Sequence, residues 1–257
     1  MTDLEKRRAY LARIGYTGEI RNTAECLREL HYRHALTVPY ENLDILQGKP
    51  LELSPEGLFA KIVLRGRGGY CFELNGGFGL LCRLAGFETE DRFARFLRGE
   101  TEIPMHRHRM VLVTCEGKTW VCDVGVGSAA PRYPLLLEEG LEQTQGAECY
   151  RFTRDAALGW VLLEKHGDGW RRYVSFSDER MFDVDYIQPS YYCEKHPDSP
   201  FNKKPIIAVK TPEGRRTVDG NVYKVWQGET VTETETLTPA RYKAVLAEVF
   251  GLAEEER

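Results

Sequence analysis

Arg65-Gly66-Arg67-Gly68-Gly69-Tyr70-Cys71-Phe72-Glu73-Leu74-Asn75 reads as a glycine-rich loop leading straight into a helix. Beyond it, Leu74, Phe78, Leu81 and Ala85 recur at helical spacing until Gly86, which predicts one apolar face turned to a core. Cys71 falls in the first turn. Unpaired N–H groups and the positive end of the helix dipole favour a thiolate there, and the guanidinium groups of Arg65 and Arg67 would push the same way. The glycines permit close approach of backbone or substrate. Spacing and chemistry alone leave two readings of Cys71: an activated nucleophile, or a buried structural thiol. A phosphate-cradling loop fits less well, because no Lys follows the glycines as that motif requires.

Upstream of this stretch the signals are helical. Thr2-Asp3-Leu4-Glu5 offers a capping box before a helix to about Ile14, broken by Gly15 and Gly18. Asn22-Thr23-Ala24-Glu25 offers another, with Leu27, Leu30 and His34 at helical spacing and Pro39 as the stop. Ser54-Pro55 supplies an N-cap and first helical residue ahead of Leu58, Phe59 and Ile62.

Downstream the pattern changes. From about Phe87 to Ser177, short apolar runs such as Met110-Val111-Leu112-Val113, Thr119-Trp120-Val121-Cys122 and Trp160-Val161-Leu162-Leu163 are bounded by polar or glycine-containing turns. That is the habit of an antiparallel sheet or small barrel. Residues 206–210 and 216–218, around Pro212-Glu213-Gly214, predict a hairpin, and 222–226 a further strand. Thr238-Pro239 caps a closing helix carrying Leu246 and Phe250. Helices, then strands, then a mixed segment imply an α+β fold in three regions, with expected bounds 1–87, 88–190 and 191–257. No internal repeat or low-complexity tract is present.

Composition limits the function classes. The 257 residues carry 35 Lys/Arg and 39 Asp/Glu, a net charge of −4, so there is no electrostatic footprint for nucleic acid. A hydrophobic share of 42% supports a real core. The longest apolar stretch, 156–163, is far shorter than a membrane span, and the opening Met-Thr-Asp-Leu-Glu-Lys-Arg-Arg has no apolar segment behind it. A soluble, cytoplasmic protein is expected. The seven cysteines, at 26, 71, 82, 115, 122, 149 and 193, are odd in number and contain no C-x-x-C pair, which argues for free thiols and against a structural zinc site.

A nucleophilic Cys needs a base, and the base an orienting partner. Downstream candidates are His106, His108 and His166, then Asp123. His108 precedes one apolar run and Asp123 ends the next, so neighbouring strands would set imidazole and carboxylate side by side. The bland alternatives stay open here: a His106/His108 metal pair, an ordinary turn at Asp123-Val124-Gly125, or a half-exposed His near a strand.

The segment Arg67 to Asn75 also resembles the cysteine signature of the arylamine N-acetyltransferases. Four further blocks resemble that family in order. Leu30-His31-Tyr32-Arg33-His34 with Pro39-Tyr40-Glu41-Asn42-Leu43-Asp44 is similar to its amino-terminal pattern. His108-Arg109-Met110-Val111-Leu112-Val113 and Asp123-Val124-Gly125-Val126-Gly127 match its His and Asp blocks, and His196-Pro197-Asp198-Ser199-Pro200-Phe201 a carboxy-terminal segment. The resemblance covers most of residues 4–226.

What the resemblance implies is a helical bundle, a β-barrel and an α/β lid on a cysteine-proteinase-like core. It implies catalytic Cys71, His108 and Asp123, and ping-pong transfer of acetyl from acetyl-CoA, a co-substrate rather than a bound cofactor, to an arylamine or arylhydrazine, as in xenobiotic metabolism. It calls for no metal and no membrane or nucleic-acid partner. Tyr40, Arg107, Val126, Gly127 and Phe201 fall near the implied pocket. Three of these depart from the family: Tyr40 and Val126 stand where Phe is common, and Arg107 where Thr is. Val126 removes a stacking surface for a flat amine. Arg107 suits an anionic acceptor or the phosphates of CoA, if it does not simply point to solvent, and Arg65 and Arg67 would complete a basic patch. Phe201 is the remaining aromatic wall, or a core residue. The alternatives are an amide synthase using the same triad and, in a second class, a thiol hydrolase.

Overall fold

Capping chemistry sets the helices of the first third. In the computed structural model, which describes residues 1–252, α1 (Asp3–Arg13) begins at Thr2. The Thr2 hydroxyl accepts from the Glu5 N–H, and the Glu5 carboxylate accepts from the Thr2 N–H at 2.8 Å, the expected box. α2 (Ala24–Thr37) begins one residue later than its expected box. Thr23 is the cap, through one bond from the Cys26 N–H. β1 (Tyr40–Glu41) and α3 (Leu43–Leu46) follow, both too short to leave a periodic signal. α4 (Pro55–Phe59), capped by Ser54, runs on into a π-helical turn at Ala60–Leu64 and buries Leu58, Phe59 and Ile62 as their spacing predicts.

α5 (Cys71–Leu84) differs from expectation in one respect: residues 71–82 are buried on every side, not along one face. Gly76 and Gly77 allow this. A Cβ at Gly76 would stand 2.8 Å from Arg109 Nη1 and from Leu58, and one at Gly77 would stand 2.5 Å from Ile62. Neighbours therefore close in on the backbone itself, and the helix becomes the axis of the amino-terminal core.

The middle third is β2 (Glu88–Phe96), β3 (His108–Cys115), β4 (Lys118–Cys122), β5 (Leu135–Leu136), β6 (Gln143–Gln145), β7 (Glu148–Asp155), β8 (Gly159–His166) and β9 (Gly169–Phe176). They form one antiparallel sheet in the order β5-β4-β3-β2-β9-β8-β7-β6. It curls into a barrel, with Met110, Leu112, Tyr150, Phe152, Leu162, Val174 and Phe176 inside. Side-chain amides span the seam between the edge strands. Gln143 bonds the N–H and C=O of Leu136 (2.7 and 2.9 Å), and Gln145 those of Tyr133 (3.0 and 2.9 Å).

α6 (Ile187–Lys195) leads to β10 (Ile206–Lys210), β11 (Gly214–Asp219), β12 (Val222–Gln227), β13 (Thr230–Thr236) and α7 (Pro239–Phe250). The expected hairpin, strand and capped helix are all here. β13 carries Thr and Glu on a mostly exposed edge, so it has no apolar alternation to read. The sheet runs β1-β10-β11-β12-β13, with Tyr40 opposite Ala208. A strand from the first third thus completes the last sheet, and Tyr186 and Cys193 reach back into the core around Cys71. Among the described residues, no helix is long and apolar enough to cross a membrane. Residues 253–257, the end of the expected third region, lie outside the described residues.

Candidate active site

The glycine-rich loop packs backbone against backbone. A Cβ on Gly68 would collide with the Pro39 carbonyl; the Gly69 N–H donates to that carbonyl (3.3 Å), and the Glu41 N–H donates to the Gly69 carbonyl (2.9 Å). These contacts fix where α5 starts. Arg67 corrects a sequence expectation: its guanidinium turns away from Cys71 to Glu41 (2.8 Å) and Asp44 (3.1 Å), so it neither acidifies the thiol nor offers itself to a phosphate. Arg65 lies with Asp44, Lys49, Lys61 and Glu73 on a separate polar cleft of about 340 Å³, away from the cavity at Cys71.

Cys71 is 4% exposed, and its Sγ lies 3.5 Å from the Arg107 carbonyl oxygen. Burial pushes its thiol well up, and Cys193 and Asp123 add to the rise, while the Phe72 N–H pulls the other way. Desolvation thus opposes the pull of the helix terminus on this thiol. Ionisation requires a proton acceptor.

His108 and Asp123 meet as their strands predict. β3 and β4 are antiparallel with Val111 opposite Cys122, which brings the start of β3 beside the residue following β4. His108 Nε2 lies 2.8 Å from Asp123 Oδ2, and both residues are buried. Burial pushes the Asp123 carboxyl up. His108, Asn75 and the Gly125 N–H outweigh burial and hold it below its usual value. With Nε2 engaged, Nδ1 is the imidazole nitrogen left for chemistry. The other candidate histidines go elsewhere: His106 stacks on Phe93 at 5.7 Å, and His166 pairs with Glu164 at 3.0 Å. Among the described residues no group of three or more His, Cys, Asp or Glu could hold a metal, and all seven cysteines are free.

Cys71 and His108 line one cavity of about 810 Å³, together with Tyr40, Arg107, Val126, Gly127 and Phe201. Asp123 sits behind His108, 2% exposed. Gly127 has φ +57°, and its Cα approaches the Tyr40 ring so closely that a Cβ would stand 3.3 Å from it. Arg107 does not simply point to solvent; it is half-buried and paired with Glu100 at 3.1 Å. Phe201 takes both expected places, lining the cavity and packing edge-on against Tyr70 at 5.7 Å.

Sequence reading missed much of the far wall. Phe96 and Arg98 come from β2 and its end, and Arg215, Thr217, Lys224 and Trp226 from β11 and β12. Their alternation within β11 and β12 was the one available signal, and it says which face they share, not what that face meets.

The N-acetyltransferase family model matches residues 23–256. An arylamine N-acetyltransferase of Mycobacterium tuberculosis is 34% identical over 250 residues, covering 95% of this chain and 88% of that one. The structure of the Salmonella typhimurium arylamine N-acetyltransferase superposes with a TM-score of 0.93 at 27% identity, covering 100% of this chain and 93% of that one. A Mycobacterium marinum arylamine N-acetyltransferase solved in complex with CoA has a TM-score of 0.89 at 31% identity, covering 95% of this chain and 92% of that one.

Proposed function

This chain belongs to the arylamine N-acetyltransferase family and is an acyltransferase, and from that premise we propose that it carries acetyl from acetyl-CoA to an arylamine or arylhydrazine nitrogen through a thioester on Cys71, in ping-pong order. The observation that carries this reading is the 2.8 Å His108–Asp123 contact on the wall of the cavity that holds the Cys71 thiol.

In the first half-reaction the Cys71 proton passes to His108 Nδ1, and the thiolate attacks the acetyl carbonyl. Asp123 fixes the imidazole tautomer and stabilises the imidazolium. The Cys71 N–H, at the start of α5, donates to the developing oxyanion. Collapse expels the CoA thiolate, which takes the proton from His108. In the second half, the acceptor nitrogen attacks the Cys71 thioester, His108 takes its proton, and Cys71 leaves as the thiolate.

A row of facing residues supports a place for the donor. Tyr40, Ala208, Thr217 and Lys224 are successive partners across β1, β10, β11 and β12. Three strand spacings take this row about 14 Å from Tyr40 to Lys224. An extended thiol arm following it reaches Lys224, which offers positive charge to a diphosphate, and Arg215, which is paired with Glu229 at 3.0 Å. Trp226 lies between them, with Arg215 4.2 Å above its ring. On this reading residues 1–87 supply the nucleophile, 88–190 the base and its carboxylate, and 191–257 the donor wall and lid. A cavity walled on its far side by β11 and β12 suits transfer of a small acyl group better than hydrolysis of a long peptide. A cytoplasmic setting and a part in xenobiotic metabolism belong to the same proposal.

The test is steady-state kinetics with a panel of arylamines, hydrazines and alkylamines, following release of the free CoA thiol. Parallel lines in double-reciprocal plots, with arylamines and arylhydrazines as the favoured acceptors, are expected. Intersecting lines would contradict the ping-pong order, and activity confined to alkylamines would contradict the acceptor class.

A further inference from the structure

Asn75 is fully buried, one helical turn beyond Cys71, and its amide is fully committed. Nδ2 donates to Asp123 Oδ1 at 2.9 Å and also to the Arg109 carbonyl, while Oδ1 accepts the Val124 N–H at 2.9 Å. The amide cannot be flipped. Turned over, it would set an oxygen against the Asp123 carboxylate and the Arg109 carbonyl, and NH₂ against an N–H. The three partners belong to two segments: the strand carrying His108 gives the Arg109 carbonyl, and the loop after β4 gives the adjacent Asp123 and Val124. The fourth attachment is covalent, through α5 to Cys71.

The Asp123 carboxylate has few other anchors. Oδ2 faces His108 at 2.8 Å, and Oδ1 is held by Asn75 and by the Gly125 N–H at 3.0 Å. Gly125 donates through its backbone, so among the described residues Asn75 is the only side chain besides His108 hydrogen-bonded to this carboxylate. The loop presses on the same point: a Cβ at Gly125 would stand 2.5 Å from Asn75 Nδ2 and 3.0 Å from the Cys71 Cα.

We propose that Asn75 is the positioning residue of the site. By fixing the rotation of the Asp123 carboxylate relative to the helix that carries Cys71, it sets the orientation of the His108 imidazole and thereby the reactivity of the thiol. It touches neither thiol nor acyl group and acts through Asp123. This inference rests on the Cys71–His108–Asp123 reading above.

The pH dependence of Cys71 alkylation by iodoacetamide separates the two readings, because it needs no acetyl donor and no acceptor. In the unaltered protein, Cys71 should alkylate with a midpoint below that of a free thiol; a free-thiol profile would contradict the triad reading itself. In Asn75→Ala the alkylation rate at neutral pH is expected to fall about 10- to 100-fold, the loss typical when an outer partner of a reactive group is removed. Its midpoint should move up toward a free thiol's.

Asn75→Asp keeps the shape and makes the effect depend on charge. Protonated, its carboxyl still donates to Asp123; ionised, it faces another carboxylate. Its reactivity should therefore decline over a pH range in which that of the unaltered protein rises. Circular dichroism of both variants should match the unaltered protein. A lowered profile in the unaltered protein that persists in both variants would overturn the positioning role, and so would failure of both variants to fold, which would make Asn75 a structural residue.

Discussion

The first turn of α5 has two sides, both buried and both polar, and they behave oppositely. On one side Glu73 meets a set of mutually paired charges. Lys61 Nζ lies 2.7 Å from Glu73 and 2.7 Å from Asp44, Arg67 joins Glu41 and Asp44, and Glu73 also accepts the Tyr70 N–H. On the other side Cys71 faces a cavity, with no charged side chain among the described residues in hydrogen-bond contact and a thiol raised by burial. Complete satisfaction makes the Glu73 side rigid and inert. Incomplete satisfaction leaves the Cys71 side with chemistry still to do, two residues away on the same helix.

The comparison is broken if the reactive side proves to hold the fold together, or the saturated side to run the reaction. Cys71→Ser should give the largest effect, a loss of transfer of about 10⁴-fold or more with unchanged unfolding, read by thiol release and urea titration. Asp123→Asn should follow, down about 10³- to 10⁴-fold in kcat while still folded, because the imidazole loses its orienting carboxylate. Retained activity would remove Asp123 from the mechanism.

Lys61→Met should do the reverse. It leaves Glu73 and Asp44 without their buried ammonium and should cost about 3–5 kcal/mol of stability in urea, with transfer per folded molecule little changed. Acid adds a sign to this. Burial pushes the Asp44 carboxyl up, but Lys61 and Arg67 outweigh it and hold the group below its usual value. Such a carboxylate stabilises the fold above its unfolded value, ~4, and that stability is lost as pH falls through the lower folded value. Removing Lys61 raises the folded value, so acid unfolding of the variant should begin at higher pH. The smallest effect is expected at the far wall, where Trp226→Ala should raise KM for acetyl-CoA about three- to tenfold with little change in kcat.

Legibility from sequence followed the range of the interactions. Local chemistry was readable: the Thr2 and Ser54 caps, the apolar runs of β3 and β4, and the strand-end positions of His108 and Asp123. Interactions between distant segments were not. Nothing near Arg67 says that its partner is Glu41 and not Cys71, and nothing near Tyr40 says that it extends a sheet formed mostly after residue 205. Burial of α5 on all sides depends on what approaches Gly76 and Gly77. Trp226, Lys224 and Arg215 share a strand face whose target only the folded chain supplies.

The central claim is that Cys71 carries the acyl group. It is tested most directly by incubating the protein with acetyl-CoA and no acceptor, followed by intact-protein and peptide mass spectrometry. One acetyl group per chain, on Cys71 and discharged by an added arylamine, is the expected result. An unmodified Cys71, or acetyl on Cys82, Cys122 or Cys193 instead, would contradict it.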